Sequence, residues 1–258
     1  MGSTVMRWWW LVMGMSVVAS ASLAADYVPL PGGSFASVIA ADNKAAPAQI
    51  KPFRLRTEPV TNAEFLAFVT AHPQWRRDRV ASVFADGQYL SKWASADALG
   101  PHVLPRQPAT RVSWFAAQAF CESEQARLPT WYEWEYAAAA DAHRADARSD
   151  PAWRDRVLDW YSRPSNTALP SVGGEADVHG VRDLNGLVWE WVDDFNALLV
   201  SGDGREQDGA DKARFCGAGA ANMQQKENYA TLMRVAMLSA LKASDTTNNM
   251  GFRCARPK

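Results

Sequence analysis

Sulfur and imidazole groups are the side chains of this sequence best suited to redox or metal chemistry. The three cysteines are Cys121, Cys216 and Cys254. In an oxidising compartment, two of them can form a disulfide and the third remains a thiol. Their spacing does not choose the pair, so all three pairings stay open on this ground.

The four histidines are too far apart in sequence to form a helical metal site. They are His72, His102, His143 and His179, and none lies within four residues of another. A zinc-binding helix presents two histidines four residues apart on one face. We therefore interpret these histidines as loop residues.

Residues 1–25 have the pattern of a secretory signal peptide. Arg7 is the basic residue, and an apolar run from Trp8 to Val18 follows it. This run is shorter than the roughly 20 apolar residues that a membrane-spanning helix needs. Small residues then allow cleavage after Ala21, Ala24 or Ala25. We expect export to the periplasm, with no integral membrane segment after cleavage.

The charge balance argues against a nucleic-acid partner. One of the 27 basic residues is Arg7, so 26 remain against 28 acidic residues, a net charge of −2. The two signs are interspersed, whereas nucleic-acid binding normally requires a clustered basic face. The composition gives no indication of the oligomeric state.

Two capping boxes predict the beginnings of two helices. Thr61 is followed three residues later by Glu64, and Thr130 by Glu133. In each box the threonine hydroxyl accepts a backbone N–H while the glutamate reaches back to the first N–H. The first helix is expected to end before Pro73.

Three other elements are indicated by local patterns. Ser113 is the expected N-cap of a helix from Phe115 to about Gln125. Alternating residues predict a strand over Ile50 to Leu55. Apolar residues at spacings of three and four predict a last helix from Glu227 to about Lys242. Residues 75–108 and 141–180 are predicted to be mostly irregular, and 201–213 a surface loop.

Six stretches together resemble the formylglycine-generating-enzyme (sulfatase-modifying factor) family, and they occur in that family's order. They are Pro-Gly-Gly-Ser-Phe at 31–35, Glu-Pro-Val-Thr-Asn at 58–62, Val-Ser-Trp at 112–114 with Ala-Phe-Cys at 119–121, Arg-Leu-Pro-Thr at 127–130 with Glu-Trp-Glu-Tyr at 133–136, Asp-Leu-Asn-Gly-Leu-Val-Trp-Glu-Trp at 183–191, and Asn-Met-Gly-Phe-Arg-Cys at 249–254. The resemblance implies one α+β domain over 26–258, related to C-type lectins, with short helices, short strands and much irregular structure.

The resemblance also implies a calcium site and a disulfide. The calcium ligands would be the side chain of Asp183, the carbonyls of Gly186 and Val188, and the carboxylate of Glu190. Calcium prefers such mixtures of carboxylate and carbonyl oxygens. Asp183 stands where asparagine is common in the family. A plain turn with Glu190 in a salt bridge is the alternative. The implied disulfide joins Cys121 to Cys254, which leaves Cys216 as a thiol.

The chain departs from this resemblance at the catalytic cysteines. The active enzymes oxidise a sulfatase cysteine with copper and oxygen, using two cysteines upstream of the terminal Gly-Phe-Arg-Cys. Without a gap, those two positions hold Gln225 and Ala230 here. Neither side chain is a thiolate, which cuprous copper prefers. Cys216 alone cannot supply both ligands, and it is read as a buried structural cysteine, with a reactive thiol or single metal ligand as alternatives.

Two further branches of the family bear on function. A non-haem iron branch carries an additional histidine-rich helical domain, which has no counterpart among the histidines here. The exported leader, the missing cysteine pair and the Cys-Gly-Ala-Gly run at 216–219 resemble a periplasmic branch. That branch includes the pyoverdine-maturation protein and the accessory proteins of copper nitrite reductases.

Three functions remain open from the sequence. The first is a periplasmic maturation or oxidative modification factor, an oxidoreductase if enzymatic, acting on a protein, peptide-like substrate or metabolite. Its cleft candidates are Trp189, Cys216, Arg234 and Arg253, and copper or iron is its undecided cofactor. The second is a non-catalytic lectin-like binding or chaperone module. The third is a genuine formylglycine-generating oxidase.

Overall fold

The computed structural model describes residues 25–39, 46–164, 167–198 and 226–258, with residues 226–230 described by their backbone alone. Cys216, Gln225, the predicted loop 201–213 and the leader up to residue 24 therefore lie outside the described residues. The side chain of Ala230 does so as well.

The described residues form five α-helices. They are α1 Asn62–Ala71, α2 Trp114–Ser123, α3 Trp131–Ala138, α4 Pro151–Tyr161 and α5 Lys226–Ser239. The capping boxes of Thr61 with Glu64 and of Thr130 with Glu133 are both present. The Ser113 hydroxyl accepts from the backbone N–H of Ala116. The predicted beginnings of α1, α2 and α3 are confirmed to within one residue.

The described strands are short and form three small sheets. They are β1 Tyr27–Leu30, β2 Gly33–Phe35, β3 Ala48–Ile50, β4 Phe53–Arg56, β5 Trp189–Glu190, β6 Met250–Gly251 and β7 Ala255–Pro257. One antiparallel sheet has the order β1-β4-β7, β2 pairs antiparallel with β3, and β5 pairs parallel with β6. Short helices beside small sheets confirm the predicted α+β class.

Two predictions of secondary structure are wrong in detail. The single strand expected over 50–55 is two strands, because Lys51 and Pro52 separate β3 from β4. Proline has no N–H to donate to a sheet, so it breaks the ladder there. The segment 141–180, expected to be irregular, contains α4.

Aromatic rings fill the centre of the main hydrophobic core. Phe65 of α1 contacts Phe120 of α2 and Phe252, with ring centroids 5.9 Å apart in both pairs. Phe120 and Phe252 contact each other at 5.4 Å. The same cluster takes in side chains from β1 at one end of the chain to Ala255 of β7 at the other. Within the described part of the chain, no helix is long and apolar enough to cross a membrane.

Candidate functional site

Cys121 and Cys254 join helix α2 to the segment that precedes β7. Their sulfur atoms are 2.02 Å apart and their Cα atoms 5.4 Å apart, and the two residues are separated by 133 positions in sequence. Neither residue is exposed. The disulfide thus anchors the C-terminal end of the Gly-Phe-Arg-Cys motif, directly next to Arg253.

Glu190 of β5 is held by a buried guanidinium and an indole. Arg253 donates from Nε to both carboxylate oxygens at 3.1 and 3.0 Å, and from Nη2 to Oε1 at 2.8 Å. Trp134 of α3 donates from Nε1 to Oε2 at 2.9 Å. Glu190 and Arg253 are both 0% exposed. Glu190 is thus placed in a salt bridge, which is the alternative to calcium binding that the sequence leaves open.

Arg253 is surrounded by backbone oxygens as well as by Glu190. Its Nη1 donates to the backbone oxygens of Arg56 at 3.2 Å and Thr57 at 3.1 Å, and its Nη2 also donates to the Arg182 oxygen at 2.8 Å. A guanidinium has five N–H donors, and these contacts with Glu190 and three carbonyls use both Nη atoms and Nε. As placed, Arg253 connects four chain segments inside the protein, and its contact with a substrate stays a prediction.

Arg234 of α5 is also buried, with 1% of its surface exposed. Its guanidinium lies 3.4 Å from the ring centroid of Trp134, and Nη2 donates to the backbone oxygen of Glu190. Burial lowers the pKa of Arg234 to about 10. Among the described residues, its Nε has no hydrogen-bond partner. As placed, Arg234 supports the backbone of Glu190 from inside the protein. Its role as a cleft residue stays a prediction.

Trp189, the neighbour of Glu190, forms a wall with two aromatic residues of α4. Its indole stacks on Tyr161 with centroids 4.7 Å apart and planes at 9°, and it meets Trp160 at 5.4 Å. All three rings are half-buried. We call Trp160, Tyr161 and Trp189 the aromatic wall. Burial raises the pKa of Tyr161 to about 12, and the charge of Arg234 opposes this shift.

The sequence singled out Trp189 but missed its two partners. A signal for them existed, because Asp150 precedes Pro151, and an N-cap aspartate before a proline at the first helical position is typical of a helix start. In the structure the Asp150 carboxylate accepts from the backbone N–H of Ala152. Helix α4 then runs to Tyr161 and packs against α5.

A cavity of about 790 Å³ borders the aromatic wall through Trp160. Its volume is in the range of small-molecule sites. Asp141 and Asp150 lie on its lining, and the guanidinium of Arg144 pairs with both. Asp183 and Gly186, two of the predicted calcium ligands, also line it.

The predicted calcium ligands, as placed, do not fit one calcium ion. Asp183 accepts the backbone N–H of Gly173 at 2.7 Å on Oδ2 and that of Gly174 at 3.1 Å on Oδ1. Glu190 is engaged by Arg253 and Trp134. Calcium takes six to eight oxygen ligands that must be free to face it. Among the described side chains, no group of three or more His, Cys, Asp or Glu could hold a metal ion.

The fold and these motifs define a member of the sulfatase-modifying factor family. The model of the sulfatase-modifying factor enzyme 1-like domain matches residues 16–258, and the chain belongs to this family.

Two curated relatives illustrate its range. The chain is 31% identical over 278 residues to the formylglycine-generating enzyme of Streptomyces coelicolor, covering 88% of both chains. It is 29% identical over 204 residues to the hercynine oxygenase of Mycolicibacterium smegmatis, covering 66% of this chain and 46% of the relative.

The solved structures add support for the fold alone. The crystal structure of CarF matches with a TM-score of 0.50 at 18% sequence identity, covering 91% of this chain and 98% of that chain.

Proposed function

We propose that this protein is an exported maturation or oxidative modification factor that works without a cysteine pair. The proposal is supported by the aromatic wall around Trp189 and by the family resemblance, which without a gap puts Gln225 and Ala230 at the two cysteine positions. Both curated relatives described above bear names of modifying enzymes, a formylglycine-generating enzyme and an oxygenase. Their substrates are not transferred to this chain.

The aromatic wall is the part of the site that would meet the substrate. Its three rings are half-exposed and one of them, Trp160, lines the 790 Å³ cavity, whereas Arg234 and Arg253 are buried. Large rings with few rotatable bonds bind at low cost in conformational entropy. A peptide segment of a periplasmic protein, or a metabolite of similar size, is the proposed substrate.

Cofactor chemistry decides between this proposal and a binding module. Two thiolates suit cuprous copper, and Cys216 is the one cysteine outside the disulfide. Copper or iron held by ligands other than a cysteine pair would supply the oxidation. In a lectin-like binding or chaperone module, loops alone would contact the partner.

The first experiment is elemental analysis of protein isolated from the periplasm of its native host. We expect stoichiometric copper or iron, and we expect the metal to remain in the Cys216→Ser variant. Protein that contains no redox metal and does not alter any periplasmic extract component would support the binding module instead. The mass of the mature N-terminus in the same sample tests cleavage after Ala21, Ala24 or Ala25.

A second experiment tests the missing cysteine pair. A sulfatase-motif peptide is incubated with the metal-loaded protein and oxygen, and formylglycine is sought by mass spectrometry. We expect none. Formylglycine formation would establish the genuine oxidase and overturn the proposal. For any other product that the protein forms, Trp189→Ala tests whether the aromatic wall is needed, and we expect this variant to lose the product. Phe84→Ala should keep it, because Phe84 contacts Trp75 and Phe115 instead.

A further inference from the structure

We propose that the segment from Asp183 to Glu190 is held together by an internal guanidinium and by backbone amides, and that this protein folds without calcium. The proposal concerns the site that the family resemblance assigns to a calcium ion. It does not depend on the proposed function, because it concerns stability and metal binding only.

The Glu190 carboxylate has no capacity left for a metal ion. A carboxylate offers about four lone-pair positions. Arg253 Nε contacts both oxygens, Arg253 Nη2 contacts Oε1, and Trp134 Nε1 contacts Oε2, all between 2.8 and 3.1 Å. A calcium ion on this carboxylate would lie beside the Arg253 guanidinium in a site without solvent exposure, where like charges repel strongly.

The guanidinium of Arg253 is itself surrounded by oxygen atoms, as a bound cation would be. Five oxygens surround it: the two of Glu190 and the backbone carbonyls of Arg56, Thr57 and Arg182. These groups come from β4 and the residue after it, from the segment before Asp183, and from β5. One internal cation therefore joins three chain segments to Arg253, and it occupies the carboxylate of Glu190, one of the predicted calcium ligands.

Asp183 has a separate task that requires both of its oxygens. Oδ2 accepts the N–H of Gly173 and Oδ1 that of Gly174. A Cβ atom on Gly174 would lie 2.5 Å from Oδ1, and Gly173 has a φ of +107°. Through these two N–H groups the carboxylate holds the Gly173-Gly174 turn, whose backbone approaches it closely.

This geometry gives a physical reason for aspartate at position 183, where asparagine is common in the family. An asparagine side chain has a single acceptor oxygen, and its NH₂ group would point at a second N–H donor. As a calcium ligand, asparagine would still supply an oxygen, although without the charge of aspartate. The two N–H groups of the turn therefore require a carboxylate at position 183 independently of any metal.

The test begins with the mature wild-type protein, treated with a chelator and then dialysed. Calcium titration calorimetry and thermal unfolding are measured with and without added calcium. We expect no stoichiometric binding and midpoints that agree within about 1 °C. A specific calcium ion at a hundredfold excess over its dissociation constant would raise the midpoint by roughly 5–10 °C, and that result would overturn the proposal.

The Asp183→Asn variant separates the two roles of this side chain. We expect its midpoint to fall by roughly 3–10 °C, since a charge-assisted bond to a backbone N–H is lost. We expect calcium not to restore it. Asp177→Asn is the matched control, because Asp177 Oδ1 alone accepts from both His179 and Val181 and an asparagine oxygen can do the same. Equal midpoints for Asp183→Asn and the wild type, or rescue by calcium, would contradict the proposal. If Asp183→Asn does not fold, the wild-type titration decides.

Discussion

Tyr161 at the end of helix α4 stacks face to face on Trp189 of strand β5, with ring centroids 4.7 Å apart and planes at 9°. Trp160 contacts the same indole from a second direction, at 5.4 Å and 39°. Two adjacent residues of one helix therefore enclose the tryptophan that the sequence marks as part of the cleft. The position of Trp189 depends on α4 as well as on its own strand.

Removing the Tyr161 ring should loosen this wall. We expect Tyr161→Ala to lower the free energy of unfolding by about 0.5–1.5 kcal/mol beyond the lost burial, since that is the usual value of an aromatic pair. Tyr161→Phe keeps the ring and should stay within about 0.5 kcal/mol of the wild type. Urea unfolding followed by tryptophan fluorescence measures both. Equal losses in the two variants would show that the hydroxyl, and not the stacking, is responsible.

Breaking the buried ion pair of Arg253 and Glu190 should be far more damaging. Arg253→Met leaves a carboxylate buried without its cation, which costs about 3–5 kcal/mol. Adding Glu190→Gln to that variant should recover part of the loss, because the uncompensated charge disappears. The control is Arg106→Ala, which removes the exposed pair with Glu58 and should cost less than about 1 kcal/mol. A loss for Arg253→Met no larger than this control would refute the assignment.

The disulfide between Cys121 and Cys254 should be the largest single covalent contribution to stability. Replacing both cysteines by serine is expected to lower the free energy of unfolding by about 2–5 kcal/mol, because the closed loop is long. Cys216→Ser serves as the control and should have little effect. Thiol counting under denaturing conditions without reductant should find one thiol in the exported protein, and three would contradict the pairing.

Asp141 makes a pH-dependent contribution in the acid range. The hydrogen bond from the Arg144 side chain lowers the pKa of Asp141 to about 2. The folded state therefore favours the ionised carboxylate. Its stabilisation is complete above the unfolded pKa near 4 and is lost as the pH falls through about 2. We expect the difference in urea midpoint between the wild type and Asp141→Asn to shrink between pH 5 and pH 2. A constant difference would contradict this origin.

Helices with local signals could be predicted, because their caps depend on residues three positions apart. Thr61 with Glu64 and Thr130 with Glu133 are such cases, and Ser113 needs only the N–H of Ala116. Helix α4 was missed since its buried residues are only Trp153 and Val157, too few to give a visible apolar stripe. The parallel pairing of β5 with β6 joins Trp189 to Met250. This pairing could not be predicted, because strands of two residues are too short to show a local pattern.

The sequence names Trp189, Arg234 and Arg253 as cleft candidates, but it does not reveal their surroundings. Trp189 is half-exposed in the aromatic wall. Arg234 and Arg253 carry charge, but charge does not show which oxygen atoms will surround a guanidinium. Those oxygens belong mainly to the backbone of Arg56, Thr57, Arg182 and Glu190. They come together only in the folded chain.

The pairing of β4 with β7 imposes an order on biosynthesis. Phe53 is paired in register with Pro257 and Leu55 with Ala255. The disulfide of Cys121 likewise forms only after Cys254 has been made. Ribosomes add roughly 5–20 residues per second, so β4 leaves the ribosome on the order of 10–40 s before its second neighbour is made. During that interval the nascent chain has an incomplete sheet and a free Cys121 thiol. Chaperones can bind the free edge of β4 and oxidants can reach the thiol, whereas both groups are covered once β7 is in place.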